Sequence, residues 1–381
     1  MARKIIVAGA QLGPIHTSTL RSEVISRMLT LMSTAHAQHV QLIVYPELAL
    51  TTFFPRTFFT NLQELESYFD RSVADDPTKA PGMKPIFDQA RQYRMDVSLG
   101  YAECDTTIDT PDNEHRHFNA AVYYSAAADK VIAKYRKIHL PGTFEPFANP
   151  NATNQFEKRY FRPGDLGFQA FRAPGLVPDA LKKNESSSTA IPRSSLTGLS
   201  SSEPNTSASS TSGLGDPIFG IMICNDRRWP EAWRCYGLQG AELVLCGYNT
   251  TAWAPDLLGT HPTLTSPEAA KAEALFHNKL CIQAGSYQNA CWSVNVAKCG
   301  VEQDGKGGEF PLIGGSCIVD PDGNVVMEAR TEGDELLVCE IDLEVCRRGK
   351  GKVFAFERHR RTEHYRRITS QTGVEEPDLL D

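Results

Sequence analysis

The sequence contains no apolar run near the ~20 residues needed to cross a bilayer. The amino-terminal run Ile5-Ile-Val-Ala is too short for the core of a secretory leader. The expectation is a soluble, cytoplasmic protein with no membrane partner. Among its 10 cysteines there is no CxxC pair and no Cys/His ligand spacing, so the thiols read as reduced side chains of a reducing compartment. No long basic run interrupts a net charge of −7. Phosphate neutralisation needs clustered Lys and Arg, so nucleic acid is not an expected partner. The absence of GxSxG, and of GxGxxG after a strand, leaves serine-hydrolase and dinucleotide readings without support.

What is present suits a large layered domain. A chain of 381 residues with 41% hydrophobic side chains can bury a sizeable core, and 1–381 reads as one domain. Buried strands are expected at 4–10 and 41–45, with a helix over 22–39 between them, because Val24, Met28, Leu31 and Ala35 recur at helical spacing. This β-α-β opening favours an α/β fold. A helix over 84–94, a strand over 96–101 and a hairpin over 118–124 and 130–135 follow. Later come a helix over 267–279, strands over 281–285, 293–297, 316–319 and 335–341, and a turn at Asp320-Pro-Asp-Gly323. Residues 182–213 are about half Ser and Thr. Such a segment buries too little to offset its ordering entropy, so it reads as a disordered surface insertion. Beyond Val345 the chain is charged with spaced aromatics, and 345–381 reads as a surface tail.

The stretch Ile218-Phe-Gly-Ile-Met-Ile-Cys224-Asn-Asp-Arg227-Arg228-Trp-Pro230-Glu231 organises the rest. An apolar, β-branched run ends at a cysteine, and Pro230 suits a first helical turn. A thiol near a helix amino end and beside two arginines is favoured as thiolate. A buried core cysteine would occupy the same place.

Glu47 and Lys137 also stand at the ends of apolar runs. Each alone suits a solvated charge. Together with Cys224 they gather at strand ends of one layered sheet, where open α/β sheets place ligands. A cysteine nucleophile needs a base, and a developing oxyanion needs a fixed positive donor. Glu, Cys and Lys supply these roles without histidine. His139 could act as base in a Cys/His pair, but the pattern favours it as a positioning residue.

Three blocks, Val44-Tyr-Pro-Glu47-Leu-Ala-Leu, Lys134-Tyr-Arg-Lys137-Ile-His-Leu-Pro-Gly and Ile223-Cys224-Asn-Asp-Arg-Arg-Trp-Pro-Glu-Ala-Trp233, resemble the motifs of the nitrilase superfamily. Within it they are most similar to the N-carbamoyl-D-amino acid amidohydrolase branch. Thr51-Thr-Phe-Phe-Pro-Arg56, Glu157-Lys-Arg-Tyr-Phe161, Gly247-Tyr-Asn-Thr250, Gln283-Ala-Gly-Ser-Tyr-Gln-Asn289 and Phe354-Ala-Phe-Glu-Arg-His-Arg360 extend the likeness along the chain. The resemblance implies a four-layer αββα sandwich that assembles as a homodimer or homotetramer, with no metal and no organic cofactor. It implies Cys224 as nucleophile, Glu47 as general base and acid, Lys137 as stabiliser of the tetrahedral intermediate, and Glu157 as a second active-site glutamate. The backbone N–H of Asn225 would complete the oxyanion site. Arg227, Arg228, Asn249, Thr250 and His139 would surround an N-carbamoyl amino acid, whose carboxylate suits a guanidinium fork. Two positions depart from the branch pattern: Gln155 and Asn278 stand where histidines are expected.

Overall fold

A computed structural model of the chain describes residues 2–72, 76–107, 116–179, 215–259, 266–305 and 307–378. The Ser-rich insertion expected over 182–213 lies outside the described residues. In chain order the elements are β1 (Lys4–Gln11), α1 (Arg21–Ala37), β2 (Leu42–Val44), α2 (Leu62–Glu66), β3 (Asp70–Arg71), α3 (Lys84–Tyr93), β4 (Asp96–Cys104), β5 (His117–Ser125) and β6 (Lys130–Arg136). Then follow α4 (Glu157–Tyr160), β7 (Phe171–Arg172), β8 (Ile218–Ile223), α5 (Pro230–Leu238), β9 (Leu243–Tyr248), α6 (Pro255–Leu258), α7 (Pro267–Asn289) and β10 (Trp292–Ala297). The last strands are β11 (Cys299–Gln303), β12 (Glu309–Ile313), β13 (Cys317–Val319), β14 (Val325–Glu328) and β15 (Glu335–Asp342).

Two mixed sheets form the middle of an αββα sandwich. The first runs β15-β1-β2-β4-β5-β6, with β3 against β4; the second runs β14-β13-β10-β9-β8-β7. Parallel strands covered on both faces need continuous apolar runs, and β1 and β2 have them. Ile5, Val7, Leu42 and Val44 point into the space between the sheets, where they meet Phe219, Ile221, Leu245 and Val294 of the second sheet. The alternate residues Ala8, Ala10, Ile43 and Tyr45 turn outward and are covered by Val24, Met28, Met32, Ile86 and Phe87 of α1 and α3. On the far side α5 and α7 cover the second sheet, and Trp233 of α5 is the largest fully buried side chain. Among the described residues no helix is long and apolar enough to cross a membrane.

One element differs from the sequence expectation. The strand expected over 281–285 is absent, because α7 continues unbroken to Asn289. Ile282, Gly285, Ser286 and Asn289 recur at helical spacing and form its buried face. Gly285 is small for a reason: a Cβ there would lie 2.3 Å from the Trp233 ring. Two further strands, β11 and β12, pair as an antiparallel ribbon beside the segment 250–252 that follows β9.

Candidate active site

Glu47 sits just past the carboxyl end of β2, between the two sheets. Glycines pinch its backbone from both sides. A Cβ on Gly100 of β4 would lie 2.8 Å from Glu47 Cα, and one on Gly247 of β9 would lie 2.5 Å from Glu47 N. The side chain is fully buried. Its Oε1 accepts from Asn119 Nδ2 at 2.7 Å and Lys137 Nζ at 2.7 Å, and its Oε2 accepts from the backbone N–H of Asn249 at 2.9 Å. Asn249 Nδ2 in turn donates to the Glu47 carbonyl at 2.8 Å.

Lys137 follows β6 and is also fully buried. Its ammonium bridges Glu47 and Glu157, at 2.7 and 2.6 Å. Burial alone would lower its pKa, but the charges of Cys224, Glu157 and Glu47 outweigh that effect and raise it. The group is a fixed cation. Burial drives Glu157 the other way from an ordinary carboxylate, up to about 7, despite the opposing pull of Lys137. Glu157 Oε1 accepts from Gln155 Nε2 at 2.6 Å. Gln155, a departure from the resembled pattern, thus supplies the hydrogen bond that orients this second carboxylate.

Cys224 directly follows β8 at a backbone corner with φ of 51°, in the left-handed region that a residue with a Cβ rarely adopts. The chain then makes one 3-10 turn over Cys224–Arg228 before α5 begins at Pro230. The thiol therefore lies one short turn away from the α-helix amino end expected to activate it. Burial pushes it up to about 11, with Glu47 adding to the rise and Lys137 and Arg227 opposing it. At neutral pH the side chain rests as a thiol. Its Sγ faces the Asn249 carbonyl at 3.4 Å. Asn249 therefore touches both Glu47, through its N–H, and Cys224, through its C=O.

The corner is held from below by Asp226, which is fully buried. Its carboxylate accepts from Tyr135 OH at 2.7 Å, from the Ile223 N–H at 3.2 Å and from the His139 N–H at 3.0 Å, and meets His139 Nδ1 at 2.8 Å. The His139 ring stacks on Trp229 at 4.8 Å. It lines a separate hollow with Phe144, Phe161 and Trp229, outside the cavity that holds Cys224. Asn225 Nδ2 donates to the His139 carbonyl at 3.2 Å, which fixes the Asn225 backbone next to the thiol.

The two arginines have different surroundings. Arg227 is 1% exposed, and its fork is committed: Nε to Asn278 Oδ1 at 2.8 Å, Nη2 to Thr250 Oγ1 at 2.8 Å and Nη1 to the Cys224 carbonyl at 2.6 Å. Its guanidinium also lies over the Tyr248 ring. Asn278, the second departure, is thus a ligand of Arg227. Arg228 is exposed at the cavity wall. The cavity is lined by Gln155, Cys224, Asn225, Arg228, Asn249 and Thr250 among others. Sequence reasoning missed Asn119 and Asp226. Asn119 is a polar residue inside an apolar strand, which is the signal that could have found it.

The carbon-nitrogen hydrolase family matches residues 6–350. A nitrilase of Pyrococcus abyssi is 25% identical over 323 residues, covering 84% of each chain. An N-carbamoylputrescine amidase of Arabidopsis thaliana is 22% identical over 348 residues, covering 90% of this chain and 89% of its own. The crystal structure of a carbon-nitrogen hydrolase from Helicobacter pylori superposes with a TM-score of 0.66 at 20% identity, over 97% of this chain and 99% of its own. The sandwich and the family match agree, and the chain belongs to the carbon-nitrogen hydrolase family.

Proposed function

We propose that the protein hydrolyses N-carbamoyl-D-amino acids to the D-amino acid, carbon dioxide and ammonia. The observation that carries this reading is the charge of the cavity wall. Its described lining holds Arg227 and Arg228 and no carboxylate. A carbamoyl substrate with an anionic tail fits such a wall; one ending in an ammonium would be repelled.

Glu47 takes the thiol proton as Cys224 Sγ attacks the carbamoyl carbon. Lys137 and the Asn225 N–H stabilise the oxygen as it gains charge. The C–N bond to the amino acid breaks, and Glu47 returns the proton to the leaving nitrogen. A carbamoyl-thioester remains on Cys224. Water, deprotonated by Glu47, attacks it and frees the thiol and carbamate, which decomposes to carbon dioxide and ammonia. Glu157 and Gln155 hold Lys137 in place, and Asn249 and Thr250 assist in holding the substrate. A dimer or tetramer of one-domain chains is the assembly in which we place this chemistry.

The test is a panel of N-carbamoyl-D- and N-carbamoyl-L-amino acids, N-carbamoylputrescine, simple amides and nitriles, with carbon dioxide and ammonia measured together. Equimolar release from the D-series supports the reading. Ammonia alone, from amides or nitriles only, would replace it with an amidase or nitrilase.

A further inference from the structure

We infer that Glu66, Cys104 and His117 form a binding site for a zinc-class divalent metal, away from the catalytic centre. Cys104 closes β4 and His117 opens β5, and the antiparallel register pairs the two directly. Their side chains therefore leave the same face of the sheet. Glu66, the last residue of α2, comes down on them from above. One ligand atom from each, a thiol sulfur, an imidazole nitrogen and a carboxylate oxygen, lie within 4.8 Å of one another. A tetrahedral zinc with bonds of about 2.0–2.3 Å needs ligand separations of roughly 3.3–3.7 Å, a small side-chain adjustment. The 12 positions between Cys104 and His117 hide this set from any reading of ligand spacing along the chain.

A second observation points the same way. His117 is 6% exposed, its ring stacked on Phe69 with centroids 3.8 Å apart. Its Nε2 lies 2.9 Å from Glu66 Oε1 in a poorly aligned contact, with no other partner. A buried ring nitrogen left in that state is costly, and a metal would satisfy it. Sulfur, nitrogen and oxygen donors together select zinc-class ions over calcium or magnesium. Arg71 donates to Glu66 Oε2 at 3.0 Å, so Oε1 is the oxygen left facing the imidazole. Arg71 also bonds the Cys104 side chain and Arg116 lies nearby, so both charges weaken the attraction for a cation; Arg71, 64% exposed, must swing out into water for a metal to enter. Binding converts the Cys104 thiol to a metal thiolate and releases one proton to solvent. The ion would tie the two ends of the β4–β5 connection to α2, behind the aromatic cluster of Phe54, Phe59 and Phe69.

The experiment titrates the full chain, freed of metal by a chelator, with cobalt(II) and then zinc(II). A thiolate-to-cobalt charge-transfer band saturating at one ion per chain, bleached by zinc, is the expected result. The band should persist in Cys224→Ala, which removes the catalytic thiol, and vanish in Cys104→Ser. Glu66→Gln, at a half-exposed position that tolerates the change, should weaken cobalt at least about tenfold if the carboxylate is a ligand. Absence of the band in the parent protein, its survival in Cys104→Ser, its loss in Cys224→Ala, or unchanged affinity in Glu66→Gln would each overturn the site.

Discussion

Arg228 offers the sharpest test of what the cavity recognises. The residue stands partly exposed on the cavity wall, its guanidinium desolvated enough to lower its pKa from the usual range, whereas Arg227 is spent on Asn278, Thr250 and the Cys224 carbonyl. Arg228→Gln should remove a charge-assisted pair with the substrate carboxylate. Such bonds contribute about 1.5–3 kcal/mol, and the exposure of Arg228 argues for the lower end. The expected loss in kcat/KM is about ten- to thirtyfold on an N-carbamoyl amino acid. On the uncharged amide analogue the change should be less than about threefold, since nothing there pairs with the fork. Arg228→Lys should fall between, because an ammonium restores charge but not the planar two-pronged contact. Arg227→Lys should behave differently, harming both substrates alike, because its partners support the nucleophile corner. Steady-state kinetics on the matched substrate pair decides the matter. Equal losses on both substrates for Arg228→Gln would refute carboxylate recognition by this residue.

Three further outcomes follow from the geometry. With its thiol pushed up to about 11, Cys224 should be about one part in ten thousand thiolate at pH 7; iodoacetamide labelling should therefore accelerate steadily with pH through the alkaline range, and Cys224→Ala should abolish turnover with the fold intact. A flat labelling rate, or residual turnover in a clean preparation, would contradict the assignment. Glu157, titrating near 7 because of burial, is ionised above that pH and loses its charge below it; kcat/KM should fall as pH drops through 7, and Glu157→Gln, though weaker overall, should lose that acid limb. Gly247→Ala pushes a methyl to within 2.5 Å of the Glu47 backbone; overpacking of this kind costs about 1–3 kcal/mol of stability, and activity should drop at least a hundredfold in protein that still melts cooperatively.

How much of this was legible in the sequence depends on distance along the chain. Glu47, Lys137 and Cys224 each suit a bland role alone; their shared place near strand ends, and the three sequence blocks that carry them, single them out only together. The strand expected over 281–285 failed because Cys281-Ile-Gln-Ala-Gly is short and ambiguous between periods. Its helical face shows only once Trp233 is seen packed on Gly285. The ribbon β11–β12 escaped because its residues alternate weakly and Gly300 takes a positive φ. The division of labour between Arg227 and Arg228 could not be read at all. Neighbouring arginines look alike until Asn278, 51 positions later, closes on one of them. The thiolate expectation failed for a related reason: proximity to a helix start is visible in sequence, but the depth of burial that overrides it is not.

The side chains of the proposed active site hang from two different sheets. Glu47, Asn119 and Lys137 belong to the first, through β2, β5 and β6; Cys224 and Asn249 belong to the second, through β8 and β9. Asn249 crosses the seam with a bond of 2.9 Å to Glu47 and, on its own side, meets Cys224 at 3.4 Å, while Tyr135 and His139 cross it to Asp226. The centre is therefore a proximity gauge for the docking of two layers, each of which could keep its own strands paired while the gauge read zero. On warming, turnover would fail as soon as the seam slackened, ahead of any change in the backbone signal. The alkylation rate of Cys224, freed from its low-dielectric slot, would then rise while catalysis fell.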